Sequence, residues 1–199
     1  MNDRTSELLD AACHVIAQAG AARLRMSDVA REAGVSTALV HYYFATRSDL
    51  LRAAFMFADA RTDVYVDEQI AALDTAAERL ERLLFVYVSD GDPLVRENGI
   101  LWREMWSHAV FDDSLRAAVE ESYADWIEQV QDAIAEAVAE GSAATADAEG
   151  AAHRLAAIVD GLSSRLALGM LSGPRATELV RDALAIELGV RLPSPHTPT

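Results

Sequence analysis

Between Met26 and Leu51 the sequence reads M-S-D-V-A-R-E-A-G-V-S-T-A-L-V-H-Y-Y-F-A-T-R-S-D-L-L. Thr37, Ala38, His41, Tyr42 and Tyr43 gather on one short stretch of it, and Arg47 follows closely. Two tyrosines and a histidine side by side show apolar ring area to water, which is unfavourable without a partner. Tyrosine hydroxyls, arginine and a capped helix N-terminus all donate to phosphate, and side chains opening an exposed helix reach base edges in a major groove. The chemistry implied is contact with duplex DNA, carried chiefly by Tyr42 and Arg47. Tyr43 and Phe44 also suit a core, and Phe44 is assigned there.

A second concentration is aromatic. Trp102, Met105, Trp106 and Ala109 recur at i, i+3, i+4 and i+7, as do Tyr123, Trp126, Ile127 and Val130. Faces spaced in this way meet across a helix pair. With Phe85 or Tyr87 nearby they would line an aromatic cavity, although plain packing explains each residue equally well. Aromatic faces near carboxylates attract cations, and Glu104 and Asp160 are candidates for that charge. Glu104 with His108, and Glu149 with His153, stand at i, i+4, which differs from the Glu-x-x-His spacing of di-metal bundles, so they read as helix-surface pairs. No phosphate-binding glycine loop, nucleophile elbow or HExxH is present. Neither metal nor cofactor is expected, and a metal-dependent helical-bundle enzyme is the remote alternative.

These residues need helices to position them, and apolar residues recur with the helical period along almost the whole chain. The expected class is all-α. A first helix runs from about Thr5 to Ala19 and stops at Gly20. A second, about Ser27–Ala33, stops at Gly34, and a third, about Thr37–Phe44, starts on the cap Ser36. Val29, Ala30, Ala33, Val35 and Val40 are spaced to bury a small core, and Gly34-Val35-Ser36 is the turn of a helix-turn-helix. A long fourth helix extends from near Ser48, with Asp49 in its first turn, to about Ile70. Further helices are expected from a cap at Asp74 to about Ser89, from Pro93 to Val110, from Asp112 or Asp113 to Glu140, from Asp147 to Leu171, and from Arg175 to Leu188. Leu83–Val88 reads as buried helix despite its strand-forming residues.

The 199 residues carry 17 basic and 32 acidic side chains, a net charge of −15 that by itself argues against a polyanion partner. The sum is unevenly spread. Residues 1–52 hold six arginines and six acids, while residues 53–199 hold eleven arginines and 26 acids. The neutral first quarter can approach DNA, and the acidic remainder would prevent any other face from docking. Cys13 is the single cysteine, so neither an intrachain disulfide nor a cysteine zinc cluster is available. The polar, acidic N-terminus and the lack of any long apolar run predict a soluble cytoplasmic protein without a membrane partner.

The first quarter resembles the TetR family of transcriptional regulators, whose motif runs approximately I-A-x-x-A-G-V-S-x-G-x-L-Y-x-Y-F-x-x-K-x-x-L. Val29-Ala30, Ala33-Gly34-Val35-Ser36, Tyr43-Phe44 and Leu50 match it, within a resemblance covering about residues 4–52. His41 stands where tyrosine is usual, Ala38 where glycine is common, and Arg25 where a threonine often caps the second helix. The resemblance implies that Thr37 and Ala38 meet the groove, that Tyr42 and Tyr43 lie against backbone or bases, and that Arg47 touches phosphate. Arg25 is then a further phosphate contact, with Ser27 sharing the capping role.

It also implies a homodimer with two recognition helices roughly 34 Å apart on a palindromic operator. Leu155, Val159, Leu162, Leu166 and Met170, with small residues interleaved, and Leu179 and Ala183 on the last helix, form a candidate four-helix dimer seam; the same spacing suits intrachain core. Leu101–Trp126 and Asp160-Gly161-Leu162 resemble the choline-sensing, betaine-pathway repressors. A small-molecule effector is therefore expected against Phe85, Trp102, Met105, Trp106, Tyr123 and Trp126, with a cation as the candidate class. The expected division is a DNA-binding domain at 1–52, an effector and dimerisation domain at 53–192, and a disordered tail at 193–199. The expected function is a repressor released by its effector, with an activator or an effector-independent regulator of the same fold as the alternative.

Overall fold

The computed structural model describes residues 3–89 and 91–189; the expected tail at 193–199 lies outside them. Helices occupy most of these residues: α1 Asp3–Ala19, α2 Met26–Glu32, α3 Thr37–Tyr43, α4 Arg47–Ile70, α5 Ala76–Phe85, α6 Pro93–Ala109, α7 Asp113–Ala139, α8 Ala148–Ala167 and α9 Gly173–Leu188. Single 3-10 turns stand at Ala21–Arg23 and Val86–Val88. The strand-prone run at 83–88 is thus helical throughout, with its last residues tightened into the second of those turns.

Caps explain most of the boundaries. Ser36 Oγ accepts the Leu39 amide at 3.2 Å and opens α3. Thr46 and Asp49 bond each other's backbone amides at the start of α4, at 3.0 and 3.1 Å, so Asp49 belongs to a capping box as well as favouring the helix dipole. Helix α5 is opened by Thr75, correcting the expectation for Asp74. Thr75 Oγ1 accepts the Glu78 amide while Glu78 returns a bond to the Thr75 amide, both at 3.2 Å, and that reciprocity satisfies two otherwise unpaired donors.

Two compact units result. One joins the segment ending at Tyr65 to Asp92–Ala124, and the other joins Val66–Gly91 to the segment beginning at Asp125. The expected cut at residue 52 therefore differs from the packing, because α6 and the first part of α7 share the core of α1, α2, α3 and α4. Leu8, Ile16, Val40, Leu50, Phe55, Leu101 and Met105 are fully buried in that one core. Cys13 lies there too, its thiol donating to the Ala54 carbonyl at 3.4 Å, and burial pushes its pKa up to about 12.

The second unit is built on α5, the Val86–Val88 turn, α8, α9 and the later part of α7. Arg79 reaches Glu136 and Glu140 at 3.2 and 3.3 Å, Arg181 reaches Glu81 at 2.7 Å, and Arg154 reaches Glu187 at 2.8 Å. Among the described residues no helix is long and apolar enough to cross a membrane.

Candidate nucleic-acid interface and regulatory site

Helices α2 and α3 are joined by Ala33–Ser36, where Gly34 takes φ +66° and lets the Val35 amide turn back to the Ala30 carbonyl at 2.9 Å. Val29, Ala30 and Val40 are buried beneath the turn, which fixes the outward face of α3. Tyr42 is 81% exposed, and Ser36, Ala38 and His41 are exposed with it. Thr37 is half-buried at the first turn. Tyr43 is half-buried against the core, its ring edge-on to Tyr42 at 5.3 Å, while Phe44 is buried as expected. One face of α3 thus offers two hydroxyls, an imidazole and an aromatic ring to a partner.

Arg25 occupies the cap position of α2 with extended backbone, and its side chain makes no capping bond. Arg25 and Ser27 are exposed beside α3. Arg47 is placed differently from a free phosphate ligand. Its Nε donates to the Leu24 carbonyl at 3.1 Å and its Nη2 donates to the Ala21 carbonyl. It ties the start of α4 to the turn leading into α2, and part of its guanidinium fork is committed there.

The aromatic residues separate into two groups. In the first unit, Trp102, Trp106 and Tyr123 form a triangle with ring centroids 6.0, 6.1 and 6.3 Å apart, all near edge-to-face, and Phe55 lies 4.9 Å from Trp102. Asp59 on α4 accepts the Trp102 indole N–H at 2.9 Å and lies 3.5 Å from the Asn98 Nδ2. Asn98 is 2% exposed, and its Oδ1 has no hydrogen-bond partner among the described residues. In the second unit, Trp126 stands 5.3 Å from Tyr87, and the Arg181 guanidinium covers the Phe85 ring at 4.9 Å. Met105 is fully buried in the first core, against which Trp102 also packs.

The carboxylate beside this aromatic group is not the one expected. Glu104 turns away to accept the Ala21 amide at 2.7 Å. Asp59 was missed because it lies 43 residues before Trp102, on another helix, and no spacing rule connects them.

Helices α8 and α9 correct part of the dimer seam. Leu155, Val159, Leu162 and Ala183 are buried within the single chain, where the apolar stripes of the two helices meet each other. Leu166 and Leu179 are half-buried. Met170 of the expected seam is 71% exposed, and Ala157, Gly161, Leu168 and Ile186 are exposed too, the last two at 74% and 83%. A Cβ placed on Gly161 would meet nothing within 4 Å, so that side of α8 is open.

Comparison with known proteins matches residues 8–54 to the bacterial regulatory proteins of the tetR family, and residues 76–189 to the C-terminal domain of BetI-type transcriptional repressors. The HTH-type transcriptional regulator BetI of Brucella suis is 30% identical over 187 residues, which cover 93% of this chain and 91% of that one. A protein described as a TetR-family regulator from Rhodococcus sp. superposes with TM-score 0.83 at 34% identity, over 93% of this chain and 98% of the other. A regulator from Saccharomonospora viridis, crystallised in complex with choline, shares the fold with TM-score 0.84 at 24% identity, over 94% and 98% of the two chains.

Proposed function

This chain belongs to the TetR family, with a BetI-type C-terminal domain, and on that premise we propose that it is a homodimeric repressor released from its operator by a small quaternary-ammonium effector. That it is a DNA-binding transcriptional regulator and not an enzyme follows from the family. The repressor's release by a cation is the finer reading. The observation that carries it is the Trp102–Trp106–Tyr123 triangle with the Asp59 carboxylate at its Trp102 corner.

Ring faces hold a trimethylammonium group through their quadrupoles, each contact giving ~0.5 to 2 kcal/mol according to desolvation. Asp59 supplies the formal countercharge. The buried Asn98 Oδ1, without a hydrogen-bond partner among the described residues, is an acceptor for a hydroxyl donor on the same ligand. Choline has both groups, and the Saccharomonospora viridis relative in complex with choline supports the choice of probe.

On the operator side, Tyr42, His41, Thr37 and Ala38 on α3 enter the major groove of each half-site. Ser36, Tyr43, Arg25, Ser27 and the spare donors of Arg47 meet the backbone. Two copies pair through the open side of α8 and α9, where Ala157 and Gly161 admit close approach and Leu168, Met170 and Ile186 gain burial. A ligand lowers operator affinity only as far as it prefers the DNA-incompetent arrangement.

A thermal-shift series tests the effector assignment. Choline should raise the melting temperature of the wild-type chain and lose that effect in Trp106→Ala. Stabilisation by neutral hydrophobes with none by quaternary amines would overturn the assignment.

A further inference from the structure

Helix α6 carries Trp102 and Trp106, and it is fastened to α1 and to the turn that follows it by two polar rungs. At the first rung, Glu97 Oε2 lies 3.4 Å from His14 Nε2, and Glu97 Oε1 accepts from Arg61 Nη2 at 2.7 Å. Arg61 also pairs with Asp10 of α1, and His14 Nδ1 stands 3.9 Å from Glu32 of α2. At the second rung, Glu104 Oε2 accepts the Ala21 amide at 2.7 Å. Both rungs join residues 83 apart in sequence, so α6 runs alongside this segment in parallel and in one register. The rungs are separated by two helical turns, about 10 Å.

The second rung lands on an irregular segment. Gly20 has φ +80° and ψ 153°, and a Cβ there would stand 3.3 Å from Glu104 Oε1. Arg47 holds the other side of the segment through the Ala21 and Leu24 carbonyls. The turn that delivers the chain into α2 is therefore gripped by α6 through its amide and by α4 through its carbonyls. Glu104 is flanked along α6 by Trp102 and Trp106, two residues to either side. A helix moves nearly as a unit, so a displacement at those rings displaces Glu104 as well.

We propose that Glu104 is the positioning residue that carries movement of α6 to the turn before α2, through its bond to the Ala21 amide, with the Glu97–His14 rung keeping the other end in register. This link reaches the helix-turn-helix directly from α6 and does not depend on a swing of α4. It rests on the proposed effector site only for naming what moves α6, and its test needs no effector. Because coupling free energy is reciprocal, DNA bound at α3 must be felt at the aromatic triangle through the same bond.

The test uses the full chain carrying Trp126→Phe, so that Trp102 and Trp106 alone report by fluorescence. It is titrated to saturation with the duplex that the wild-type chain protects in a footprint of the DNA flanking its own gene. DNA should change the emission of the parent. Glu104→Ala should abolish most of that change while still saturating with DNA. Glu104→Gln keeps an oxygen acceptor for Ala21 and should restore the change. A Glu104 that only stabilised the fold would lower the melting temperature and leave the saturated signal intact. Should Glu104→Ala fail to fold, Glu104→Met fills the same volume without an acceptor and is judged identically. An undiminished change in these variants, or no change in the parent, overturns the link. Failure of choline to stabilise the protein, with the DNA-induced change intact and dependent on Glu104, counts against the effector assignment alone.

Discussion

Replacing Asp59 by asparagine removes the charge and keeps the shape of the side chain. The Trp102 indole N–H, now 2.9 Å from Asp59 Oδ1, keeps an oxygen acceptor, so the variant should fold with a stability loss below ~1 kcal/mol. A trimethylammonium group over the Trp102 face would stand about 6 Å from the carboxylate, where an effective dielectric near 20 gives about 3 kcal/mol of attraction. Asp59 is half-buried, and solvent screening reduces this to ~1 to 2 kcal/mol. That corresponds to roughly a ten-fold change in affinity. The assay is calorimetric titration with choline and with its neutral carbon isostere 3,3-dimethylbutanol, against wild type and Asp59→Asn. The wild type should prefer choline, and the variant should lose about ten-fold of that preference while binding the isostere unchanged. Equal affinity of the wild type for the two ligands, or an unchanged preference in Asp59→Asn, would refute the electrostatic argument.

Three other perturbations separate binding from folding. Tyr42 is 81% exposed, so Tyr42→Ala should change stability by less than ~0.5 kcal/mol yet weaken operator binding by ~1 to 3 kcal/mol per half-site; an unchanged footprint would contradict its role. Gly34→Ala should cost ~1 to 2 kcal/mol in urea unfolding, from left-handed strain alone, because nothing lies within 4 Å of its Cβ. Gly20→Ala should cost more, since φ +80° with ψ 153° is a conformation essentially confined to glycine and its Cβ would also meet Glu104 Oε1 at 3.3 Å; a loss no larger than that of Gly34→Ala would contradict this. Cys13, with its pKa raised to about 12 by burial, should react with thiol reagents at pH 8 only as fast as the molecule opens. A rapid labelling phase in the native protein would show that the core around it is loose.

The sequence made local structure legible and left tertiary partners hidden. Gly20, Gly34 and Ser36 announced the ends of α1, α2 and α3, because a left-handed residue or a capping hydroxyl acts on backbone within a few residues. The Thr-x-x-Glu box at Thr75 was visible too, but the adjacent Asp74 has the same cap preference, and only the reciprocal bond from Glu78 decides between them. Arg47 could be aligned with a phosphate contact, whereas its carbonyl partners lie 23 and 26 residues earlier and carry no side-chain signal. Glu104 was recognisable as a carboxylate near tryptophans, yet its partner is a backbone amide 83 residues away. Apolar residues on α8 satisfy a dimer seam and an intrachain core equally well by spacing. The burial of Leu155, Val159 and Leu162 shows which of their positions the chain uses for itself.

The effector-released repressor is tested most directly by the affinity of the wild-type chain for its footprinted duplex, measured at fixed salt with and without saturating choline. The account predicts that choline weakens binding by about five-fold or more. Operator affinity that choline leaves unchanged, or raises, would contradict it.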